Sequence, residues 1–177
     1  MNLDQEKPKP KVLFIMHMPP PVHGAAMMGK YIHDSKVINE AFECHYINLT
    51  TAKDINDIGK VGIRKLKHFV KLLNTIRRKV KQLKPSLVYV TPNSNGGAFC
   101  KDFIVVQMLK MFGCKVVVHF HNKGVAEQKN DFPFSFLYGV FFRNLKVILL
   151  AESLYADIEK FVDRENVYIC PNGIPEL

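Results

Sequence analysis

The chain has 177 residues, a net charge of +9 and a hydrophobic fraction of 47%. This length is typical of one domain with a sizeable core, and the composition excludes a mostly disordered chain. No apolar run is long enough to span a bilayer, and the four cysteines are too far apart for a zinc-type pairing. We therefore expect a cytoplasmic protein with buried, reduced thiols, in which the polar residues 1–10 form a flexible tail and not a signal peptide.

The first predicted element is a buried strand, because residues 12–16 are a continuous apolar run. Prolines 19–21 end this strand, since proline has no N–H to donate to a neighbouring strand. A helix is predicted over about residues 25–39, and Gly24 before it allows a ligand to approach the backbone closely. The free N–H groups at the start of such a helix suit a phosphate. A strand, turn and helix without any ligand also fits this pattern.

Two familiar phosphate-binding motifs fail at this loop. The dinucleotide fingerprint needs three glycines and an acid after the second strand, but only Gly24 and Gly29 are present, and the strand predicted at 44–49 ends without an acid. Residues 24–30 fit the P-loop spacing, but Tyr31 replaces the hydroxyl residue that binds Mg²⁺. The third predicted strand, 87–91, also lacks the aspartate that would hold the metal. Neither motif is therefore predicted to function here.

The positive charge is concentrated in one segment. Residues 60–84 contain ten Lys and Arg residues and no acid, while the rest of the chain carries 15 basic and 16 acidic residues. The apolar residues of the segment recur at helical spacing: Ile63, Leu66, Phe69, Val70, Leu73, Ile76, Val80 and Leu83. Pro85 ends the pattern, so an amphipathic helix is predicted after a polar loop over residues 50–59.

This basic helix has several possible partners. We expect its apolar stripe to pack on the sheet, because a doubly wound sheet needs helices on both faces. Its basic face is then either solvated or in peripheral contact with an anionic membrane. No nucleic acid is expected, because Phe69 is the lone aromatic residue of the segment and base stacking needs several.

Polar side chains follow the third and fourth predicted strands. Asn93 and Asn95 lie in a turn after strand 87–91, and His119 and His121 end a strand predicted at 115–119. The carboxyl ends of parallel strands meet at one edge of a sheet, so these side chains are expected near the first loop. His119 and His121 share one face of an extended backbone. They fit a hydrogen-bonding pair better than a metal site, because no nearby acid or cysteine completes a ligand set.

The remaining predicted elements are a helix at 98–112, a strand at 147–150, a helix from 151 to about 162 and a strand at 166–170. The aromatic segment 131–142 is interpreted either as a buried helix or as an apolar surface that meets lipid or another domain. Glu152 is a candidate residue at the helix start after the fifth strand. The alternation predicts a Rossmann-like α/β fold, with a doubly wound parallel sheet of about six strands and helices on both faces.

Four segments in this order resemble the N-terminal half of retaining, nucleotide-sugar-dependent glycosyltransferases of the GT-B fold. They are PPPVHG at 19–24, VTPN at 90–93, HFHN at 119–122 and VYICPNGI at 167–174. In that family two Rossmann-like domains face each other across a cleft; the first chiefly takes the acceptor, and the second holds most of the donor. The resemblance thus implies an N-terminal glycosyltransferase domain at 11–170, the start of an interdomain linker at 171–177, and a donor-binding domain that is absent from this chain.

The resemblance also implies roles for individual residues. Gly24 and Ala25 would lie near the donor diphosphate, and His121 would be the catalytic residue that faces the transferred sugar. The residues expected to bind substrate are His23, Gly24, Ala25, Asn93, Asn95, His119, Asn122, Glu152, Asn172 and Gly173, the last two at the entry to the linker. His23 stands where the family often has glycine, and it narrows the approach to the first loop.

The implied activity is that of a hexosyltransferase-type enzyme in cell-surface polysaccharide synthesis. It would move a sugar from a UDP- or GDP-sugar to a glycan or lipid-linked acceptor at the inner face of a membrane, without a metal or a tightly bound cofactor. One half of the cleft cannot exclude water, so we expect no useful activity from this chain alone. Two alternatives are a non-enzymatic nucleotide- or phosphate-binding module built on Gly24, and a domain that contacts a membrane or a protein partner.

Overall fold

The structure is a computed structural model that describes residues 8–49 and 63–173. The loop predicted at 50–59, most of the tail and the last part of the predicted linker lie outside the described residues. The described chain forms a six-stranded sheet in which every pair of neighbouring strands is parallel. This architecture confirms the predicted Rossmann-like α/β fold.

The strands are β1 (Lys11–Met16), β2 (Glu43–Asn48), β3 (Leu87–Val90), β4 (Val116–His119), β5 (Lys146–Leu149) and β6 (Val167–Ile169). Their order in the sheet is β2-β1-β3-β4-β5-β6, so the direction of winding reverses between β1 and β3. At this reversal Ile15 of β1 is in register with Ile47 on one side and Val90 on the other. Ligand sites of open parallel sheets lie in the crevice outside the carboxyl ends of the strands at such a reversal.

The helices are α1 (Gly24–Asp34), α2 (Lys36–Ala41), α3 (Ile63–Leu83), α4 (Gly96–Met111), α5 (Val125–Gln128), α6 (Phe134–Phe142) and α7 (Tyr155–Ile158). Short 3₁₀ helices occupy Glu152–Leu154 and Arg164–Asn166. Helices α5 and α6 lie between β4 and β5, and the two 3₁₀ helices and α7 lie between β5 and β6.

Two helix predictions are wrong in extent. The helix predicted at 25–39 is divided at Ser35, because the Ser35 hydroxyl accepts a hydrogen bond from the backbone N–H of Ile38 (3.4 Å) and starts α2 as its N-cap. The helix predicted from 151 to about 162 is a 3₁₀ turn followed by the short α7. The chain leaves the α-helical path after Ile158, where the Phe161 N–H bonds to the Ile158 carbonyl in a tighter turn. The short α5 is absent from the predicted elements.

Helices cover both faces of the sheet. On one face Ile32 of α1 and Ile38 of α2 pack against a small core that includes Phe14. On the other face α3, α4 and α6 pack against the inner strands and form the larger core, to which Ile76 and Phe99 belong. The right-handed connection of parallel strands places consecutive helices on opposite faces wherever the winding direction reverses.

The aromatic segment is partly buried and partly exposed. Tyr138, Phe141 and Phe142 of α6 are buried in the larger core, where the rings of Tyr138 and Phe99 lie 4.6 Å apart between centroids. Phe132 and Phe136 are exposed on the other side of the segment. The interpretation as a buried helix is therefore confirmed for one face. The contact of the exposed apolar face with lipid or another domain stays a prediction.

The apolar stripe of α3 packs on the sheet as predicted, through the buried residues Ile76 and Val80. Leu66 and Val70 are exceptions, because they lie on the outer side of the helix and are 62% and 49% exposed. Their prediction as core residues is wrong, since they stand at the margin of the stripe. Among the residues that the structure describes, no helix is both long and apolar enough to cross a membrane.

Candidate functional site

The candidate site lies at the carboxyl ends of β1, β3 and β4, which are neighbours in the sheet. The loop after β1 is tied to the end of β3, because the backbone N–H of His17 donates to the hydroxyl of Thr91 (3.2 Å). The Asn93 side chain, in the loop after β3, in turn lies 3.4 Å from Nε2 of His17. The reversal in strand order thus brings loops that are far apart in sequence into direct contact.

Four histidines meet at this edge, and we call His17, His23, His119 and His121 the histidine cluster. The rings of His119 and His121 lie 4.3 Å apart between centroids, and those of His17 and His23 lie 5.8 Å apart. The His121 side chain is also close enough to His17 to influence its pKa. The sequence pattern pointed to three of the four histidines, but not to His17. The feature of the sequence that could have indicated His17 is its position directly after a buried strand.

Burial keeps the inner rings of the histidine cluster neutral. Burial lowers the pKa of His17 to about 3, and the charges of Lys101, His23 and His121 act in the same direction. Burial also lowers the pKa of His119 to about 3, with a further contribution from His121. The pKa of His121 is lowered as well, chiefly by burial, while the approaching Asn172 side chain acts in the opposite direction. At neutral pH each of these three rings therefore offers one N–H donor and one acceptor nitrogen.

Tyr89 of β3 forms a buried hydrogen bond with one ring nitrogen of His119. The Tyr89 hydroxyl lies 2.6 Å from Nδ1 of His119, and both side chains are buried. Burial raises the pKa of Tyr89, so the hydroxyl keeps its proton, and a protonated hydroxyl either donates a hydrogen bond to Nδ1 or accepts one from it. In either case this hydrogen bond occupies Nδ1 and leaves Nε2 of His119 as the nitrogen that is available to a ligand.

Three ring nitrogens of the cluster are buried without a hydrogen-bond partner in the described part of the chain: Nε2 of His119 and both nitrogens of His121. The great majority of buried polar atoms in proteins have such a partner, because an unpaired one costs free energy. These nitrogens are therefore suited to a polar ligand that enters the crevice.

Asp102 is a functional candidate that the sequence analysis missed. It is completely buried in α4, where one carboxylate oxygen accepts hydrogen bonds from the backbone N–H (2.9 Å) and the side-chain amide (2.7 Å) of Asn93. Lys101 Nζ lies 3.5 Å from the other oxygen. Burial raises the pKa of Asp102, while Lys101 and the hydrogen bonds from Asn93 act in the opposite direction. The feature of the sequence that could have indicated Asp102 is that it is the single acidic residue of an apolar helix.

The start of α1 is open toward solvent. Nδ1 of His23 accepts a hydrogen bond from the backbone N–H of Ala26 (3.4 Å), which makes His23 the N-cap of the helix. Gly24 is exposed, and a Cβ at this position would meet nothing within 4 Å. Packing within the protein therefore does not demand glycine here, and the first turn of α1 remains accessible to an anionic group.

The loops after β3 and β4 are fixed to each other. The Ser94 hydroxyl donates to the carbonyl of Lys123 (2.8 Å), and the Asn95 amide lies 3.4 Å from a carboxylate oxygen of Glu127. Gly124 has φ +144°, and a Cβ there would overlap the Asn95 side chain. This packing makes Asn95 part of the wall that supports the site.

Asp157 of α7 holds the loop that follows His121. Its two carboxylate oxygens accept hydrogen bonds from the backbone N–H groups of Gly124, Val125 and Ala126, at 3.0, 3.1 and 2.9 Å. A carboxylate at the start of α5 satisfies N–H groups that have no partner within the helix. The start of this short helix is thus occupied by the protein's own anion.

The other predicted site residues lie farther from the histidine cluster or on its margin. Glu152 forms a paired contact with Arg164, at 2.9 Å to Nε and 2.7 Å to the terminal nitrogen Nη2. Asn122, Asn172 and Gly173 are exposed, and Asn172 lies beside His121. Within residues 8–49 and 63–173, no three or more His, Cys, Asp or Glu residues are arranged to hold a metal ion.

The sequence matches no known protein family, and no curated protein is significantly similar to it. Among solved structures, the crystal structure of MurG from Acinetobacter baumannii is similar, with 14% sequence identity and a TM-score of 0.44. The similarity covers 95% of this chain and 47% of the MurG chain, so the chain spans about half the length of that structure.

Proposed function

We propose that this chain is the N-terminal, acceptor-side domain of a retaining, nucleotide-sugar-dependent glycosyltransferase of the GT-B type. The observation that carries the proposal is the His119–His121 pair, in which Nε2 of His119 and both nitrogens of His121 are buried without a hydrogen-bond partner in the described chain. The pair lies at the carboxyl end of β4, next to the strands between which the strand order reverses. Neutral imidazole both donates and accepts hydrogen bonds, as recognition of sugar hydroxyls requires. The order of the four sequence segments that resemble this family supports the same conclusion.

The proposed division of labour follows from the chemistry of sugar transfer. A nucleotide-sugar reacts by releasing a diphosphate while positive charge develops on the sugar, so both charges must be stabilised in a site closed to water. The first turn of α1 at Gly24 and Ala25 would receive the diphosphate through its N–H groups and dipole. His121 would face the transferred sugar as a neutral ring that adds no positive charge beside it.

The proposed donor is a UDP- or GDP-sugar, and the proposed acceptor is a glycan or a lipid-linked glycan. A second domain, reached through the linker that starts near Asn172 and Gly173, would supply the groups that grip the donor and close the cleft. This chain by itself would therefore bind a nucleotide-sugar weakly and turn it over negligibly.

A titration of the chain with UDP-, GDP- and ADP-glucose, followed by NMR chemical shifts, tests this proposal. We expect binding of at least one of them in the millimolar range, weakened by His121→Ala and by Gly24→Val. The exposed residue Glu159, which is not one of the predicted site residues, supplies the control variant Glu159→Ala, which should bind like the wild type.

Three results would contradict the proposal: no binding of any of the three sugars, robust turnover by this chain alone, or tight binding. Tight binding that depends on Gly24 would instead favour a complete, non-enzymatic nucleotide-binding module.

We also propose that the outer face of α3 rests on an anionic membrane surface. Leu66 and Val70 are exposed there beside Lys67, Lys71 and Arg78. Apolar side chains among cations suit a lipid surface, where the apolar groups enter the interface and each cation contributes about 1 kcal/mol. This location would bring the cleft close to lipid-linked acceptors.

A further inference from the structure

The side-chain amide of Asn93 is held from two sides. Its Nδ2 lies 2.7 Å from a carboxylate oxygen of Asp102 and 3.4 Å from Nε2 of His17. The same Asp102 oxygen accepts the backbone N–H of Asn93 at 2.9 Å. The three side chains come from the end of β1, the loop after β3 and the buried face of α4, so they meet only in the folded protein.

The chemistry of the partners determines which way the amide points. One Asp102 oxygen already accepts a backbone N–H, and Lys101 Nζ lies 3.5 Å from the other oxygen. The group of Asn93 that faces this carboxylate must therefore be its NH₂, because a carbonyl oxygen in that place would repel the carboxylate. The His17 ring is neutral, and a neutral imidazole has one nitrogen that accepts hydrogen bonds. Because Nε2 of His17 faces the second amide hydrogen of Asn93, Nε2 is that acceptor nitrogen.

This arrangement uses both amide hydrogens of Asn93 within the protein. The carbonyl oxygen Oδ1 remains, and it has no hydrogen bond among the described residues, while Asn93 is only partly buried. An oxygen of this kind can accept a hydrogen bond from a hydroxyl group, but it cannot donate one to a phosphate oxygen.

We propose that Asp102 and His17 are positioning residues that hold Asn93 as a hydrogen-bond acceptor, so that Asn93 binds a sugar hydroxyl of the substrate and not its diphosphate. The ligand part of this inference rests on the proposed function; the positioning part does not. The sugar hydroxyl belongs either to the donor or to the acceptor, and the two sources are distinguished experimentally below.

The positioning part is tested by NMR of the histidine ring nitrogens, which reports the tautomer of each ring. In the wild type we expect Nε2 of His17 to be the unprotonated nitrogen. Asp102→Leu removes the carboxylate that holds the amide, and we expect the His17 signals to shift toward the form protonated on Nε2. Asp102→Asn keeps an acceptor oxygen of the same size and should restore the wild-type spectrum.

Val106→Ala is the control for a general loss of stability, because Val106 is fully buried one turn farther along α4 and does not contact Asn93 through a hydrogen bond. It should leave the His17 tautomer unchanged. A His17 spectrum that is the same in the wild type and in Asp102→Leu would overturn the positioning role. The same conclusion follows if Val106→Ala changes that spectrum as much as Asp102→Leu does.

The ligand part is tested by titrating wild type, Asn93→Ala and Asp102→Leu with UDP-, GDP- and ADP-glucose, with the matching nucleoside diphosphates, and with methyl α-glucoside. Loss of one hydrogen bond corresponds to about a five- to tenfold weaker affinity. If the hydroxyl belongs to the donor, both variants weaken nucleotide-sugar binding by this factor and leave nucleoside diphosphate binding within about twofold. If it belongs to the acceptor, the loss appears with methyl α-glucoside alone.

Equal weakening for nucleotide-sugars and nucleoside diphosphates, or no weakening with any probe, would overturn the assignment of Asn93 to a sugar hydroxyl. If the wild type binds none of the probes, the proposed function and the ligand part fail together. The His17 tautomer still decides the positioning role in that case, so the two failures remain distinguishable.

Discussion

Gly29 stands at a position where the surrounding backbone leaves no room for a Cβ atom. A Cβ at Gly29 would overlap the carbonyl oxygen of His17, so α1 lies directly against the end of β1. We expect Gly29→Ala to lower the free energy of unfolding by about 1–3 kcal/mol, as other substitutions that overpack a tight contact do. Urea unfolding measures this change.

Gly24 on the same helix provides the matched control, because a Cβ there would meet open space. Gly24→Ala should leave stability unchanged or raise it by about 0.4–1 kcal/mol, since alanine reduces the freedom of the unfolded chain. If both substitutions had the same effect, the close approach of α1 to the first loop would be contradicted.

His119 makes stability depend on pH. Its pKa is lowered to about 3 in the folded protein, against an ordinary value of 6.5, so the unfolded chain binds the proton more readily between these two values. The contribution of His119 to stability is therefore full above pH 6.5 and is lost progressively as the pH falls toward 3. Its slope is at most about 1.4 kcal/mol per pH unit.

Urea unfolding at pH 7, 6 and 5 checks this expectation. The glutamine in His119→Gln has no titrating group. The free energy of unfolding of this variant should therefore fall less with decreasing pH than that of the wild type. Val116→Ala is a control at a buried, non-titrating residue of the same strand, and it should lower stability while keeping the wild-type slope. Equal slopes for wild type and His119→Gln would contradict a neutral, buried His119.

At the scale of secondary-structure elements, Asp157 links α7 to the start of α5. Its carboxylate accepts three backbone N–H groups at the start of α5, directly after the loop that carries His121. We expect Asp157→Ala to cost about 1–2 kcal/mol in unfolding free energy, as the loss of an N-cap does. Hydrogen exchange at residues 124–126 should accelerate in the variant.

Glu159→Ala is the control for this prediction, because Glu159 is exposed in the same region. It should change stability by less than about 0.5 kcal/mol, as surface substitutions usually do. Unchanged hydrogen exchange at residues 124–126 in Asp157→Ala would show that the loop is held by other contacts.

At the scale of the whole molecule, the positive charge on the outer face of α3 predicts binding to anionic membranes. In flotation with phosphatidylglycerol-containing vesicles, we expect Lys67→Glu, Lys71→Glu and Arg78→Glu together to reduce bound protein at least tenfold, since each cation near the surface contributes about 1 kcal/mol. Vesicles of phosphatidylcholine alone should bind little of the wild type.

The matched control exchanges three exposed lysines away from α3 for glutamate, Lys9, Lys36 and Lys115, with the same change in net charge. It should retain most of the binding. Equal loss in both triple variants would mean that overall charge, and not the face of α3, governs the interaction.

The local sequence pattern predicted each strand to within one residue at both ends and placed α4 within two. This success has a physical reason, since an apolar run bounded by proline, glycine and polar residues specifies a buried strand without reference to other parts of the chain. The pattern failed at α1 and α7, where one serine cap and one tight turn decided where the helix ends. Such endings depend on single hydrogen bonds that leave no periodic signal.

The sequence by itself determined that strands and helices alternate, that α3 has an apolar and a basic face, and that His119 and His121 lie two residues apart at the end of a strand. Tertiary structure alone decided the order of the strands. Because β3 lies beside β1, His17, Asn93 and His119 meet at one edge although they are far apart in the chain. It also decided that Asp102 is buried beneath Asn93, since the burial of a polar residue depends on long-range packing that no local spacing records.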